Sequence, residues 1–239
     1  MIIEDKKYRD LPDYIKEHLS FMFTLTIRAH VLILMLVLDF LVIVPLLYPV
    51  TPRLLYFLVP LLLFINGWSI RLLLVNPYST QFEFIRYAAC YGTISSIIFF
   101  SLSQKISVYI LGLETNTLYY VLTTFLYLLS FIMFGVYQFW KYSRVRTGFK
   151  ASSLYVGGVA SVGPGLGYIF SKSIHQYEKL SNIVAVLCFY FLAVFWGFVG
   201  AKFIHKYIFM KKNKHLITYE KPPKSHYKRK LVSRDLKIK

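Results

Sequence analysis

The chain has 239 residues, of which 56% are hydrophobic and only 16% charged, and its mean hydropathy is +0.53. These proportions exclude a disordered chain, a collagen-like repeat and a water-soluble globular fold, and they leave a polytopic membrane protein, which its apolar runs make an all-α transmembrane helix bundle. The net charge of +17 comes from 28 Lys and Arg against 11 Asp and Glu, but twelve of the basic residues lie between His205 and Lys239 and most others in short segments between apolar runs, where they fix topology. Nucleic acid is therefore not expected as a partner.

Residues 1–30 contain Glu4, Asp5, Lys6, Lys7, Arg9 and Asp10, and the first long apolar run starts only at Val31. That is too late and too long for a cleaved signal peptide, so the first span is expected to remain in the mature chain. Asp10 is expected to cap a helix that carries Pro12 in its first turn. Leu11, Ile15, Leu19, Met22 and Leu25 then share one face, and Asp13, Lys16 and Glu17 another. This pattern fits an interfacial amphipathic helix on the cytoplasmic membrane surface, or equally a helix packed on the cytoplasmic ends of the bundle.

Crossing roughly 30 Å of hydrocarbon takes about 20 apolar residues in a helix. Six runs qualify: Val31 to Pro49, Leu54 to Leu74, Tyr87 to Ser103, Leu118 to Trp140, Ser152 to Phe170 and Ile183 to Ile204. Lipid forces each segment to satisfy its own backbone amides, and no run alternates as a barrel strand does, so all six are expected to be helical. Gln104 and Lys105 cut the third run short, and it reaches across only by tilting or by starting near Phe84. The fifth run either spans or re-enters. Residues 31–204 thus form the transmembrane domain and residues 205–239 a basic tail that cannot bury a core.

Six spans bring both ends of the chain to one face. Of the 28 basic residues only Arg53, Lys105, Lys172 and Lys179 then fall on the opposite face, which places both termini in the cytoplasm. Tyr48, Tyr78, Tyr87, Tyr119, Tyr120, Tyr137 and Trp140 lie close to the ends of the runs, where amphipathic rings favour the headgroup region.

Few residues suggest chemistry. Asp39 is the acidic residue inside a clear span; an uncompensated carboxylate there costs about 2.5–3.5 kcal/mol on insertion scales. It is read either as a proton or cation site or as a hydrogen-bonding residue, with Asn66, Thr93, Ser95 or Ser96 as partners. The fifth run carries Gly163, Pro164, Gly165 and Gly167, which suit a kinked packing helix or a broken helix that holds an ion. Gly197 and Ala201 repeat the small-xxx-small spacing in the sixth run, and the two pairs are expected to pack together. Pro164 and Gly165 stand where a phosphate loop needs Lys and Ser or Thr, so that loop is rejected. Lys141, Arg144, Arg146 and Lys150 form a basic linker suited to anionic lipid headgroups or to a partner. Cys90 and Cys188 each sit in an apolar run and read as packing residues, and the six histidines show no metal or catalytic spacing.

No cofactor, metal or catalytic constellation is expected. The chain reads as a non-enzymatic, multi-pass protein of a bacterial cytoplasmic membrane, an accessory subunit of a transport, secretion or toxin-immunity system that contacts other membrane proteins. Two alternatives stay open: a small transporter or channel using Asp39 and the broken helix, and a membrane-embedded lipid-modifying enzyme using the basic linker.

Overall fold

The computed structural model of the chain describes residues 8–21, 24–48, 50–143, 178–217 and 219–220. Among the described residues every regular element is helical, and five helices are long and apolar enough to cross a membrane. The order is α1 (Asp13–Leu19), α2 (Ile27–Leu47), α3 (Pro52–Leu74), α4 (Gln81–Tyr109), α5 (Thr117–Ser143) and α6 (Glu178–Lys212), with short 3-10 turns at Tyr8–Asp10, Thr24–Thr26 and Lys214–Leu216. The fifth apolar run, with Gly163, Pro164, Gly165 and Gly167, lies outside the described residues, as do Arg144, Arg146, Lys150 and the tail beyond Glu220.

Local chemistry sets the helix ends. Tyr48 is extended because Pro49 follows it, which stops α2. Pro52 opens α3 in the first turn, where a missing N–H costs nothing. Gly112, at φ 67°, supplies the left-handed residue in the turn between α4 and α5. Asp10 does not cap α1 as expected: the chain first closes a 3-10 turn over Tyr8–Asp10, and Pro12 precedes the helix without a side-chain cap.

α4 is the central helix. In its most apolar window 61% of residues are buried, against 6% for α5. On one side it meets α2 and α3; on the other it runs antiparallel to α6, and α5 packs on α6. At 29 residues it is about 43 Å long, more than the hydrocarbon thickness. The third span is thus longer at both ends than its sequence suggested. Lys105 does not end it, because the ammonium is buried inside the protein, donating to the carbonyls of Pro45 at 2.7 Å and Leu46 at 2.8 Å. Those carbonyls belong to the last turn of α2, which has no intrahelical donors left to offer them and favours a cation. The early start at Gln81 also corrects Tyr87, which is fully buried and bonded to Ser69 at 2.8 Å rather than placed in an aromatic belt.

α1 is docked on the bundle. Leu11, Ile15 and Leu19 are buried with Ile85 of α4, Tyr142 of α5 and Phe209 and Met210 of α6, while Asp13 and Glu17 stay exposed. Its apolar face packs on the bundle, as one of the two readings of its amphipathic pattern expects. At the same end Glu220 accepts from the backbone N–H of Thr24 at 2.9 Å and from its hydroxyl, and Gln81 donates to the Glu220 carbonyl at 2.8 Å. The N-terminal and C-terminal parts of the described chain therefore meet at one end of the bundle.

Candidate functional site

Three groups of polar side chains stand out in the bundle. The first is the one the sequence pointed to. Asp39 on α2 accepts a hydrogen bond from Asn66 Nδ2 on α3 at 2.8 Å, and both residues are half-buried. Their bond joins two neighbouring helices, and Asn66 Oδ1 is buried without a partner among the described residues. Of the other partners considered for Asp39, Thr93 bonds its own helix at Ala89 and Ser96 is taken up by other helices.

The second group builds the crossing of α4 and α6. Gly92 and Gly200 meet backbone to backbone: a Cβ added at Gly92 would lie 2.5 Å from the Gly200 nitrogen. One turn further, Ser96 donates to the Ala193 carbonyl at 2.6 Å and shares a bond with Tyr127 of α5 at 2.9 Å. Ser103 donates to Val186 at 3.1 Å. Gly197 faces Ser96 and the ring of Phe131, and Ala201 is buried. The predicted small-residue pair of α6 thus serves contact with α4 and α5, whereas its expected partners in the fifth run are outside the described residues. Gly92 was missed although Ala88, Gly92 and Ser96 recur at every fourth residue; Gly200 lies outside the Ala193, Gly197 and Ala201 series and had no such signal.

The third group lies at the end where α1 docks. His18 Nε2 and His205 Nδ1 are 3.0 Å apart, so that with both rings neutral one donates and the other accepts. His18 stacks on Tyr142 with 3.8 Å between centroids, and Tyr142 stacks in turn on His205 at 5.1 Å. Lys141 reaches over the Tyr142 ring at 5.5 Å, and Lys206 donates to the Glu17 carbonyl at 3.4 Å. Burial pushes the His18 pKa down, to about 2, and His205, Lys206, Lys202 and Lys141 add to the effect. Beside the pair a cavity of about 410 Å³ is lined by Phe139, Trp140, Tyr142, His205, Phe209 and Lys212. Among the described residues no three His, Cys, Asp or Glu side chains come together. Lys141, expected to contact headgroups, is the member of the basic linker that the structure places, and its ammonium lies over aromatic rings. Nothing in the sequence joins His18 to His205, which are 187 positions apart.

No family model, curated protein or solved structure matches this chain.

Proposed function

We propose that this protein is a six-span membrane protein with both termini in the cytoplasm, resident in a bacterial plasma membrane, where it acts as an accessory subunit of a transport, secretion or toxin-immunity assembly. It works by packing helices and contacting partners rather than by chemistry of its own.

The observation that carries this reading is how the polar side chains inside the spans are used. Ser69, Tyr91, Ser96, Ser103 and Ser107 each bond a backbone carbonyl or a neighbouring hydroxyl, tying helices together. Meanwhile α5 leaves a continuous apolar face from Leu118 to Trp140 uncovered, with Leu122, Phe125, Leu129 and Met133 exposed along it.

Six crossings are supported by the direction of α5 and α6. Thr123 lies against Tyr190, Tyr127 near Ala193, Phe134 against Phe198 and Tyr142 against His205, so the two helices run parallel. The chain leaves α5 at one end of the bundle and enters α6 at the other, a distance of about 28 Å over the paired stretch. A fifth crossing between them is the simplest connection. Lys16, Arg28, Arg71, Lys141, Lys206 and Lys212 belong to the end that carries α1, in keeping with a cytoplasmic location.

Purification from its membrane in mild detergent, followed by identification of the proteins that accompany it, tests the reading. A partner at fixed stoichiometry is the expected result; a solitary monomer overturns it. A second reading, a small transporter or channel, is favoured by the half-buried Asp39–Asn66 pair, whose Asn66 oxygen has no partner among the described residues. That reading fails if pH-dependent flux in reconstituted vesicles is the same for Asp39→Asn as for the native chain.

A further inference from the structure

The end of the bundle away from α1 holds a cavity of about 650 Å³ between the start of α3 and the last turns of α4. Its wall is divided by chemistry. Thr51, Arg53, Gln104 and Lys105 supply the polar side, and Phe57 and Phe100 the apolar side. Arg53 and Phe57 are exposed, whereas Thr51 is 7% and Lys105 4% exposed.

The polar side is incompletely satisfied. Thr51 Oγ1 and Gln104 Oε1 are buried and have no hydrogen-bond partner among the described residues. Gln104 is nevertheless held in place, because its Nε2 donates to Thr123 Oγ1 at 3.2 Å. Lys105 uses two of its three donors on the carbonyls of Pro45 and Leu46, which leaves one. Buried polar atoms left without partners are costly, so two of them on one cavity beside two cations call for a ligand that brings both acceptors and a donor.

The geometry points to a binding site for one glycerophospholipid: its phosphate would sit among Arg53, Lys105 and the Thr51 hydroxyl, a hydroxyl or ammonium of its headgroup would donate to Gln104 Oε1, and an acyl chain would lie along Phe57 and Phe100. A guanidinium matches phosphate in two parallel hydrogen bonds, and Arg53 is free of any ion pair among the described residues. The volume is that of a small-molecule site. Depth agrees as well: Thr51 lies in the turn between α2 and α3, and Lys105 lies one turn from the end of α4, the level of a headgroup phosphate. A free phosphate ion would match the cations but leave the aromatic wall unused.

The test uses the full chain, delipidated in detergent and titrated with phosphatidylglycerol or phosphatidylethanolamine while bound lipid is counted by native mass spectrometry. Diacylglycerol with the same acyl chains serves as the ligand without phosphate. One phospholipid per chain is expected, with affinity at least tenfold above that for diacylglycerol. Arg53→Gln and Gln104→Leu should each lower that affinity at least fivefold, whereas Arg71→Gln at the other end should leave it unchanged. Both cavity variants spare the Lys105 cap on α2; thermal unfolding in detergent verifies that they fold, and Thr51→Val replaces either one that does not. Equal binding of diacylglycerol, native affinity in the cavity variants, an equal loss in Arg71→Gln, or release of the lipid by millimolar inorganic phosphate would each overturn the site. None of these results bears on how many times the chain crosses the membrane.

Discussion

His18 is a titratable group buried in a largely aromatic and cationic setting, and its chemistry makes the docking of α1 sensitive to acid. Facing it are His205, Lys202, Lys206 and Lys141, with Glu17 on its own helix exposed to solvent. Because burial lowers its pKa from the ordinary 6.5 to about 2, the released helix takes up a proton at a higher pH than the docked one. Docking is therefore complete above about pH 6.5 and weakens as the pH falls below that value. Limited proteolysis in detergent should cut at α1 faster at pH 5 than at pH 7.5, and His18→Phe should remove most of that difference. An equal rate at both pH values would show that His18 does not control the docking. Asp39 makes a simpler case. Its bond to Asn66 is interhelical, and such bonds in membranes average about 0.6 kcal/mol and reach about 1.7 kcal/mol. Asn66→Ala is expected to destabilise the bundle by about 1 kcal/mol, as read from unfolding in mixed micelles.

The α4–α6 crossing is where one added carbon has the largest effect on an element. A methyl at position 92 has no side chain to displace, only the backbone of Gly200 at 2.5 Å, so the helices would have to move apart along their whole contact. Gly92→Ala is expected to cost about 1–3 kcal/mol, the range for overpacking a close contact. Gly135→Ala on α5 provides the comparison: nothing lies within 4 Å of the added carbon, so its unfolding midpoint should match or exceed the native value. Five helices were legible in the sequence because an apolar run of spanning length carries its own signal, but their ends were not: α4 starts at Gln81 and ends at Tyr109, beyond its expected Tyr87 to Ser103, and α6 continues to Lys212, so that Phe209 and Met210 of the expected tail are buried in the core. What the runs did not carry was which charged residues the protein would cover. Lys105 reads as a break in the third span only until the carbonyls of Pro45 and Leu46 are placed beside it. Asp39 was legible, with Asn66 as one of four candidate partners, since a mid-span carboxylate demands a polar partner. The pairing of His18 with His205 was not, because it is made by two helices that meet only after the bundle has assembled.

At the scale of the molecule, helix direction and charge support the same arrangement. α2, α3, α4 and α5 alternate in direction, and α6 then repeats the direction of α5, with Tyr142 and His205 at one end and Thr123 and Tyr190 at the other. Cations collect where α1, Tyr142 and Glu220 lie, while Arg53 and Lys105 stand at the far end. Under the proposed topology the cationic end is the one retained on the cytoplasmic side during insertion. Ser79, in the turn before α4, and Glu114, in the turn after it, are both exposed and lie at opposite ends of the central helix. In a chain lacking Cys90 and Cys188, an impermeant thiol reagent applied to intact cells should label Glu114→Cys. Ser79→Cys should react only after permeabilisation. Labelling of Ser79→Cys in intact cells, with Glu114→Cys protected, would invert the bundle. It would also leave the basic end on the side of the membrane where the inside-positive bias gives it no reason to be.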